Sequence, residues 1–427
     1  MKNLRIGICG TGNVGRALLI SLRDSKDLFE IQGKVNLEIT MIGARKGKSA
    51  LPFQDLNVLE DIMDVASYED IDVLVELIGG TEIAYDLLKK AIENGKHIVT
   101  ANKALIAKYG NELFQQAKAK GIQFGFEASV AGGTPVIKAL REGLVAHKIK
   151  WFAGILNGTS NYILSYMEDS EVAFEVALER AKSLGLAESD PSLDVDGTDA
   201  AQKASILASL AFQTPFNFSS VSYEGIQNVT LKDLRFAEEL GYSIKHIALG
   251  RLIDEQVTIC AHPMLVSNDS ILSKVGKEMN ALEVFSEDVG STVYYGPGAG
   301  PVPTASAVIA DLVDIAKGSL FNIPETTGKN KLATKSLEPS ARYFRIEVKN
   351  NSGVIAKISS IFAENKISID SLIQHDSNLQ ITSDDPLVSV VIISGKIDDL
   401  LSKEVTDALA DMEEVDDNVR NFRILVQ

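Results

Sequence analysis

The chain has 427 residues, 45% of them hydrophobic and 23% charged, enough to bury the cores of two or three domains. Its net charge of −16 argues against nucleic acid or an anionic membrane surface as a partner. No apolar run reaches the roughly 18 residues of a membrane span, MKNLRIGICG leads straight into a strand, and two cysteines cannot build a disulfide framework, so a cytoplasmic protein is expected.

Residues 4–10, LRIGICG, are a short apolar run that ends in Gly10-Thr11-Gly12-Asn13-Val14-Gly15, and RALLISLRDS follows with helical spacing. Strand, glycine turn and helix together are the context of a dinucleotide site. Gly10 makes the tight turn, Gly12 lets the backbone approach a pyrophosphate, Gly15 allows close helix packing, and the helix start offers N–H groups to the anion. A glycine turn without a ligand is the plain alternative. A second strand at 37–42 runs into Arg45, Lys46 and Lys48, where an NAD site carries an acid for the ribose 2′-hydroxyl. Three cations suit a 2′-phosphate better, so NADP is expected over NAD; a solvated basic loop is the other reading. Further strands are predicted at 71–78, 97–100 and 122–126, with a helix at 82–94, completing an α/β, Rossmann-type doubly wound parallel sheet. The strand 97–100 delivers Lys103 just past its C-terminal end, where such sheets place the reactive end of the coenzyme.

Glu127-Ala-Ser-Val130-Ala-Gly132-Gly133-Thr134-Pro135 leaves that sheet for a new helix, with Thr134 expected as its cap and Pro135 at its first position. The turn exposes carbonyls that, with the Glu127 carboxylate, could hold a hard cation; a plain domain crossing is the equal alternative. A strand at 151–156 closes on Asn157-Gly158-Thr159-Ser160-Asn161, which caps a helix starting near Tyr162. Then LGLAESDPSLDVDGTDAAQK brings Glu188, Asp190, Asp194, Asp196, Asp199 and Lys203 into one short span. Asp199 and Lys203 are one helical turn apart, on the face that continues as Ile206, Leu207 and Leu210, while the opposite face has no charge. An exposed pair of this kind contributes only about 0.3–0.5 kcal/mol, but a half-buried lysine beside a carboxylate has a tunable pKa and a functional use.

The motifs GTGNVG, TANKAL, FEASVAGGTPVI, GILNGTSNYIL, ESDPSLDVDGTDAAQK and GPGAGPVPTASAV resemble, in kind and order, those of homoserine dehydrogenases over about the first 320 residues. The resemblance implies NAD(P)-dependent interconversion of L-aspartate 4-semialdehyde and L-homoserine. It implies that Glu188 and Asp199 hold the substrate amino group and that Lys203 and Lys103 stand at the reacting carbonyl, without deciding which lysine moves the proton. It also implies a structural Na⁺ on Glu127, Val130, Gly132 and Thr134, and a homodimer or homotetramer. The domains it implies are a dinucleotide-binding domain at 1–130, joined by a returning helix at about 303–322, and an α+β catalytic and dimerisation domain at 131–302. Cys9 lies inside a strand and Cys260 has no activating neighbours, so a thioester-forming reaction on the same semialdehyde is disfavoured.

Residues 326–340 are polar, basic and aperiodic, and read as a linker. Beyond them, at 341–427, strands at 343–348, 367–374, 387–394 and 419–426 and helices at 354–364 and 400–412 follow a ferredoxin-like βαββαβ order. KNNSGVIAKISSIFAENKISI resembles the opening of an ACT regulatory domain, with Gly353 at the ligand turn and Ser352 where many have proline. The resemblance implies an amino-acid effector, with L-threonine expected. A non-catalytic nucleotide-sensing regulator is the competing reading; it would lose the lysines, and both are present.

Overall fold

The structure is a computed structural model that describes residues 2–44, 55–318, 328–333, 338–375, 387–416 and 419–426. Its first sheet is parallel throughout, in the order Val58–Leu59, Val35–Gly43, Lys2–Cys9, Val73–Glu76, His97–Thr100, Phe124–Gly125. Ile6, Ile8, Val73, Leu74, Val75, Ile98 and Val99 are buried, as continuous apolar runs are when a parallel sheet is covered on both faces. The helices Asn13–Asp24 and Glu82–Glu93 cover it with Leu18, Leu19 and Leu22 and with Ala84, Leu87, Leu88 and Ala91, one apolar stripe each. The strand order reverses between Lys2–Cys9 and Val73–Glu76, and the crevice beyond the carboxyl ends of these strands is where such sheets bind ligands. The returning helix is Pro301–Lys317, beginning after Gly300 at φ +110 and ending at Gly318 at φ +72. It packs against Asn13–Asp24; the end expected near residue 322 lies outside the described residues.

The second sheet runs Gly290–Pro297, Met279–Ser286, Ile149–Ile155, Tyr242–Ile253, Gln256–Ser267, then Arg420–Ile424, Ser340–Lys349, Leu387–Ile397, Ile369–His375. The last four strands, with the helices Val354–Glu364 and Asp399–Ala410, form an antiparallel βαββαβ unit in the order fourth, first, third, second. The two groups are one sheet because Met264 and Leu265 pair in parallel with Arg423 and Ile424. Tyr343, Val391, Phe422 and Ile424 share a core with Ile163, Leu164, Leu234 and Leu265, and Arg345 donates to the fully buried Asp233 at 2.6 Å. The C-terminal unit is therefore seated by apolar burial and a buried ion pair. Part of the stretch read as a linker is ordered on the same sheet: Lys331–Leu332 pairs with Gln256 and Val257, while residues 334–337 lie outside the described residues. Among the described residues no helix is long and apolar enough to cross a membrane.

Candidate active site

The three glycines of the first turn have different physical reasons. Gly10 sits at φ +111 with the carbonyl oxygen of Leu77 only 2.4 Å from where a Cβ would stand, and a Cβ on Gly15 would lie 2.1 Å from the Gly10 oxygen. A Cβ on Gly12 would meet nothing within 4 Å, so this backbone faces open space. Gly12 precedes the helix Asn13–Asp24, whose first turn has no acid and no side-chain cap among the described residues. Thr11 and Val14 are half-buried and Asn13 exposed, so the N–H groups of the uncapped first helical turn are suited to a pyrophosphate. These features fit a dinucleotide coenzyme. Arg45, the proposed reader of the 2′-phosphate, lies outside the described residues.

Lys103 opens the helix Lys103–Ala119 directly after the strand His97–Thr100, with Asn102 capping it through the Leu105 N–H at 3.1 Å. That helix packs against Thr198–Phe212, and the contact brings three expected residues together. Asp199 Oδ1 lies 2.9 Å from Lys103 Nζ and Oδ2 lies 2.7 Å from Lys203 Nζ. The Asp199 and Lys203 side chains are 7% and 9% exposed and that of Lys103 is 37% exposed, so one lysine is sealed and the other faces the cleft. Lys203 also donates to the Leu156 carbonyl at 2.7 Å, which accepts from Asn280 as well at 3.0 Å. Burial opposes ionisation of Asp199, but Lys203 and Lys103 outweigh it and hold the carboxyl below its usual range. Asp199 in turn raises Lys103 above the ordinary lysine value, against burial. The inward reading of this helix face is correct, and the opposite face is buried too, at Ala201, Ser205, Ala208 and Ser209. Glu188 is exposed and acts on Lys103 through its charge.

Three further residues organise the cluster. Asn157, expected only as a helix cap, accepts from the Ser160 N–H at 2.7 Å and gives one amide hydrogen to Asp199 and one to Asp194, each at 2.8 Å. Asp194, held at that bond, is pushed up by burial despite Asn157. Glu76 ends its strand fully buried; it accepts from the Thr100 hydroxyl at 2.6 Å and from the N–H groups of Ile78 and Gly79 at 2.8 and 3.2 Å. Thr100 then accepts from the Asn102 N–H at 3.0 Å, so Glu76 braces the residue that caps the Lys103 helix. The sequence signal for Glu76 was an acid inside the apolar run VLVELI.

The Glu127 turn differs from expectation in two respects. The short helix is Val136–Lys138, and its cap is not Thr134: the Glu127 carboxylate accepts from the Ile137 and Lys138 N–H groups at 3.0 and 2.7 Å. Pro135 precedes the helix and does not begin it. Burial pushes the Glu127 carboxyl up to about 7, against those two bonds. Ala131 turns the chain at φ +52, and Gly133 N–H donates to the Pro297 carbonyl of the returning loop at 3.0 Å. Thr134 Oγ1 is buried without a partner. Among the described residues no group of three or more His, Cys, Asp or Glu side chains could hold a metal. The donor types in the turn, carbonyls of Val130 and Gly132, the Thr134 hydroxyl and the buried Glu127 carboxylate, suit a hard monovalent cation.

Comparison with known proteins agrees with a coenzyme-binding fold. Residues 10–127 match the family model described as the NAD binding domain of homoserine dehydrogenase, and residues 135–313 match the model described as homoserine dehydrogenase. A homoserine dehydrogenase of Pseudomonas aeruginosa is 42% identical over 97% of this chain and 96% of its own length. The crystal structure of a homoserine dehydrogenase from Thiobacillus denitrificans is similar over 100% of this chain and 99% of that one, with a TM-score of 0.92 at 38% identity. A hyperthermophilic archaeal homoserine dehydrogenase in complex with NADPH is similar over 75% of this chain and 99% of its own, with a TM-score of 0.64 at 28% identity.

Proposed function

The chain belongs to the homoserine dehydrogenase family of NAD(P)-binding oxidoreductases, and from that premise we propose the substrates, the proton path and the regulation. It reduces L-aspartate 4-semialdehyde to L-homoserine, reversibly, on the way to threonine, methionine and isoleucine, and a cytoplasmic place suits that role. The observation that carries this reading is the buried Asp199 carboxylate clamped between Lys103 and Lys203, beyond the carboxyl end of a coenzyme-type sheet.

The turn Gly10, Thr11, Gly12, Asn13, Val14 and Gly15 would hold the coenzyme pyrophosphate, and Lys103 lies toward its reactive end. The bound coenzyme supplies or accepts the hydride. The lysines provide the complementary proton chemistry: the carbonyl oxygen gains alkoxide character in reduction, and an ammonium group within hydrogen-bond reach stabilises and protonates it. Lys203 already donates to Asp199 and Leu156, whereas Lys103 has Asp199 as its one partner among the described residues and is more exposed. Lys103 is therefore the better proton donor, and Lys203 orients the oxygen. Asp199 already holds both lysines and Asn157, which leaves it little accepting capacity for the substrate ammonium; Glu188, exposed and acting on Lys103 through its charge, is the freer grip. NADP is preferred over NAD because of Arg45, Lys46 and Lys48. A structural Na⁺ would be held at the 127–134 turn by Glu127, Val130, Gly132 and Thr134.

The C-terminal unit is an ACT domain that binds L-threonine as a feedback inhibitor. The support is the βαββαβ order and Gly353 at φ +91 before the helix Val354–Glu364. A homodimer or homotetramer is in keeping with the partly exposed edge strand Gly290–Pro297. NADPH oxidation in the presence of aspartate semialdehyde tests the activity, with Lys103→Ala and Lys203→Ala as controls. Coenzyme binding without turnover would instead make the protein a nucleotide-sensing regulator.

A further inference from the structure

Glu76 is the last residue of the strand Val73–Glu76, with Cys9 beside it on one neighbouring strand and Thr100 on the other. Cys9 precedes the glycine turn and Thr100 precedes Asn102 and Lys103, so Glu76 stands midway along the crevice at the carboxyl end of the sheet. The residues that follow it cross the same interval. Leu77 N–H donates to the Cys9 carbonyl at 2.8 Å, and the Leu77 oxygen lies 2.4 Å from where a Cβ on Gly10 would stand. On the far side, Asn102 Nδ2 donates to the Gly80 carbonyl at 2.6 Å. A Cβ on Gly79 or Gly80, at φ +72 and +71, would meet nothing within 4 Å. This stretch therefore borders open space, while the carboxylate behind it is fully buried.

The Glu76 carboxylate is a charge that its surroundings do not balance. Its partners are the Thr100 hydroxyl and the N–H groups of Ile78 and Gly79, all neutral donors, which favour the acceptor-only, ionised form against burial. Among the described residues no cation is paired with it, and Lys103 and Lys203 are both held by Asp199. A glutamine could accept from the same two N–H groups and bond to Thr100 without the cost of burying a charge. Bracing the turn therefore does not by itself account for a carboxylate at this position.

We propose that Glu76 is a buried counter-charge for the oxidised coenzyme, favouring NADP⁺ over NADPH through its field across the 77–80 stretch. This rests on the coenzyme reading of the first sheet and adds a residue to it. Hydride transfer to the aldehyde carbon, with both electrons of the broken C–H bond, leaves one positive charge on the nicotinamide ring, and the carbonyl oxygen takes a proton from a lysine. Glu76 touches neither reactant and moves no proton. Its fixed negative charge, in a water-excluded position, stabilises the cationic ring relative to the neutral one and so favours reduction of the semialdehyde.

The test uses two pairs of full-length proteins that differ in charge and hardly in shape: the unaltered protein against Glu76→Gln, and Glu76→Asp against Glu76→Asn. Dissociation constants for NADP⁺ and for NADPH are measured by calorimetry without substrate, and Tm is recorded for each protein. In each pair the neutral member raises the ratio of the NADP⁺ constant to the NADPH constant about tenfold, while Glu76→Asp stays within about threefold of the unaltered protein. If Glu76→Gln does not fold, the Asp and Asn pair decides. Loss of bracing alone weakens both forms together. A ratio that is unmoved or falls in the neutral members therefore overturns the counter-charge and leaves the coenzyme reading standing. Failure of the unaltered protein to bind either form overturns both.

Discussion

The glycine turn at 10–15 and the cluster around Asp199 are both suited to charged ligands, yet they are built in opposite ways. The turn uses backbone N–H groups at a helix start and no charged side chain, and its requirements fall within six consecutive residues. The cluster uses side chains from three distant segments, with a carboxylate and a lysine both more than nine-tenths buried. A local device tolerates change in the rest of the fold as long as its own backbone is free to adopt the turn. An assembled one depends on the segments that contribute its partners, and removing Asp199 leaves the buried Lys203 without its carboxylate. The first should therefore fail through coenzyme affinity and the second through turnover.

The largest effect expected is from Lys103→Ala: kcat falls roughly a thousandfold, the range of general acid catalysis, while Tm changes little because the side chain is partly exposed. Stopped-flow and calorimetry measure the two. A Lys203→Ala loss that far exceeds it would return the proton to Lys203. Asp199→Asn comes next, with kcat down about a hundredfold. This variant also carries a pH signature. Asp199 raises Lys103, so in the oxidation direction, which needs neutral lysine, the rate climbs with pH toward a value above the ordinary lysine range. Without the carboxylate that limb of the pH–rate profile moves to lower pH, whereas an unmoved limb would mean that Lys103 is not the titrating group.

Gly12→Ala and Gly15→Ala separate the two halves of the glycine turn. A Cβ on Gly12 enters open space, so thermal stability holds while coenzyme KM rises about tenfold, or 1.4 kcal/mol. A Cβ on Gly15 meets the Gly10 oxygen, so the fold itself loses about 1–3 kcal/mol. The smallest effect is at Glu127. Its folded pKa of about 7 exceeds the unfolded value, so this group erodes stability as pH rises from about 4.5 and the loss levels off above 7. A cation in the turn offsets the ionised carboxylate. Na⁺ should then raise Tm by a few degrees at pH 8 relative to an equal concentration of tetramethylammonium, and by much less at pH 5.5. Equal Tm values in the two salts at pH 8 would remove the ion from the turn.

The sequence by itself carried the parallel sheet, the glycine turn, the inward Asp199–Lys203 face and the C-terminal βαββαβ order, since each rests on periodicity or on spacing within a short window. Lys103 was legible through its place after a strand. Its contact with Asp199 was not, because helix packing across 96 positions of chain has no local signal. Glu127 shows the same limit in a single residue: as a sequence position it is an acid before a glycine turn, and only the fold turns its carboxylate onto the N–H groups of Ile137 and Lys138. The fusion of the C-terminal unit to the catalytic sheet through Met264 and Leu265, and the sharing of Asp399 by the buried Arg342 and Arg423, were likewise decided in three dimensions. Strand edges and buried charges find partners by proximity after folding, and the order of residues along the chain does not say which of them will meet.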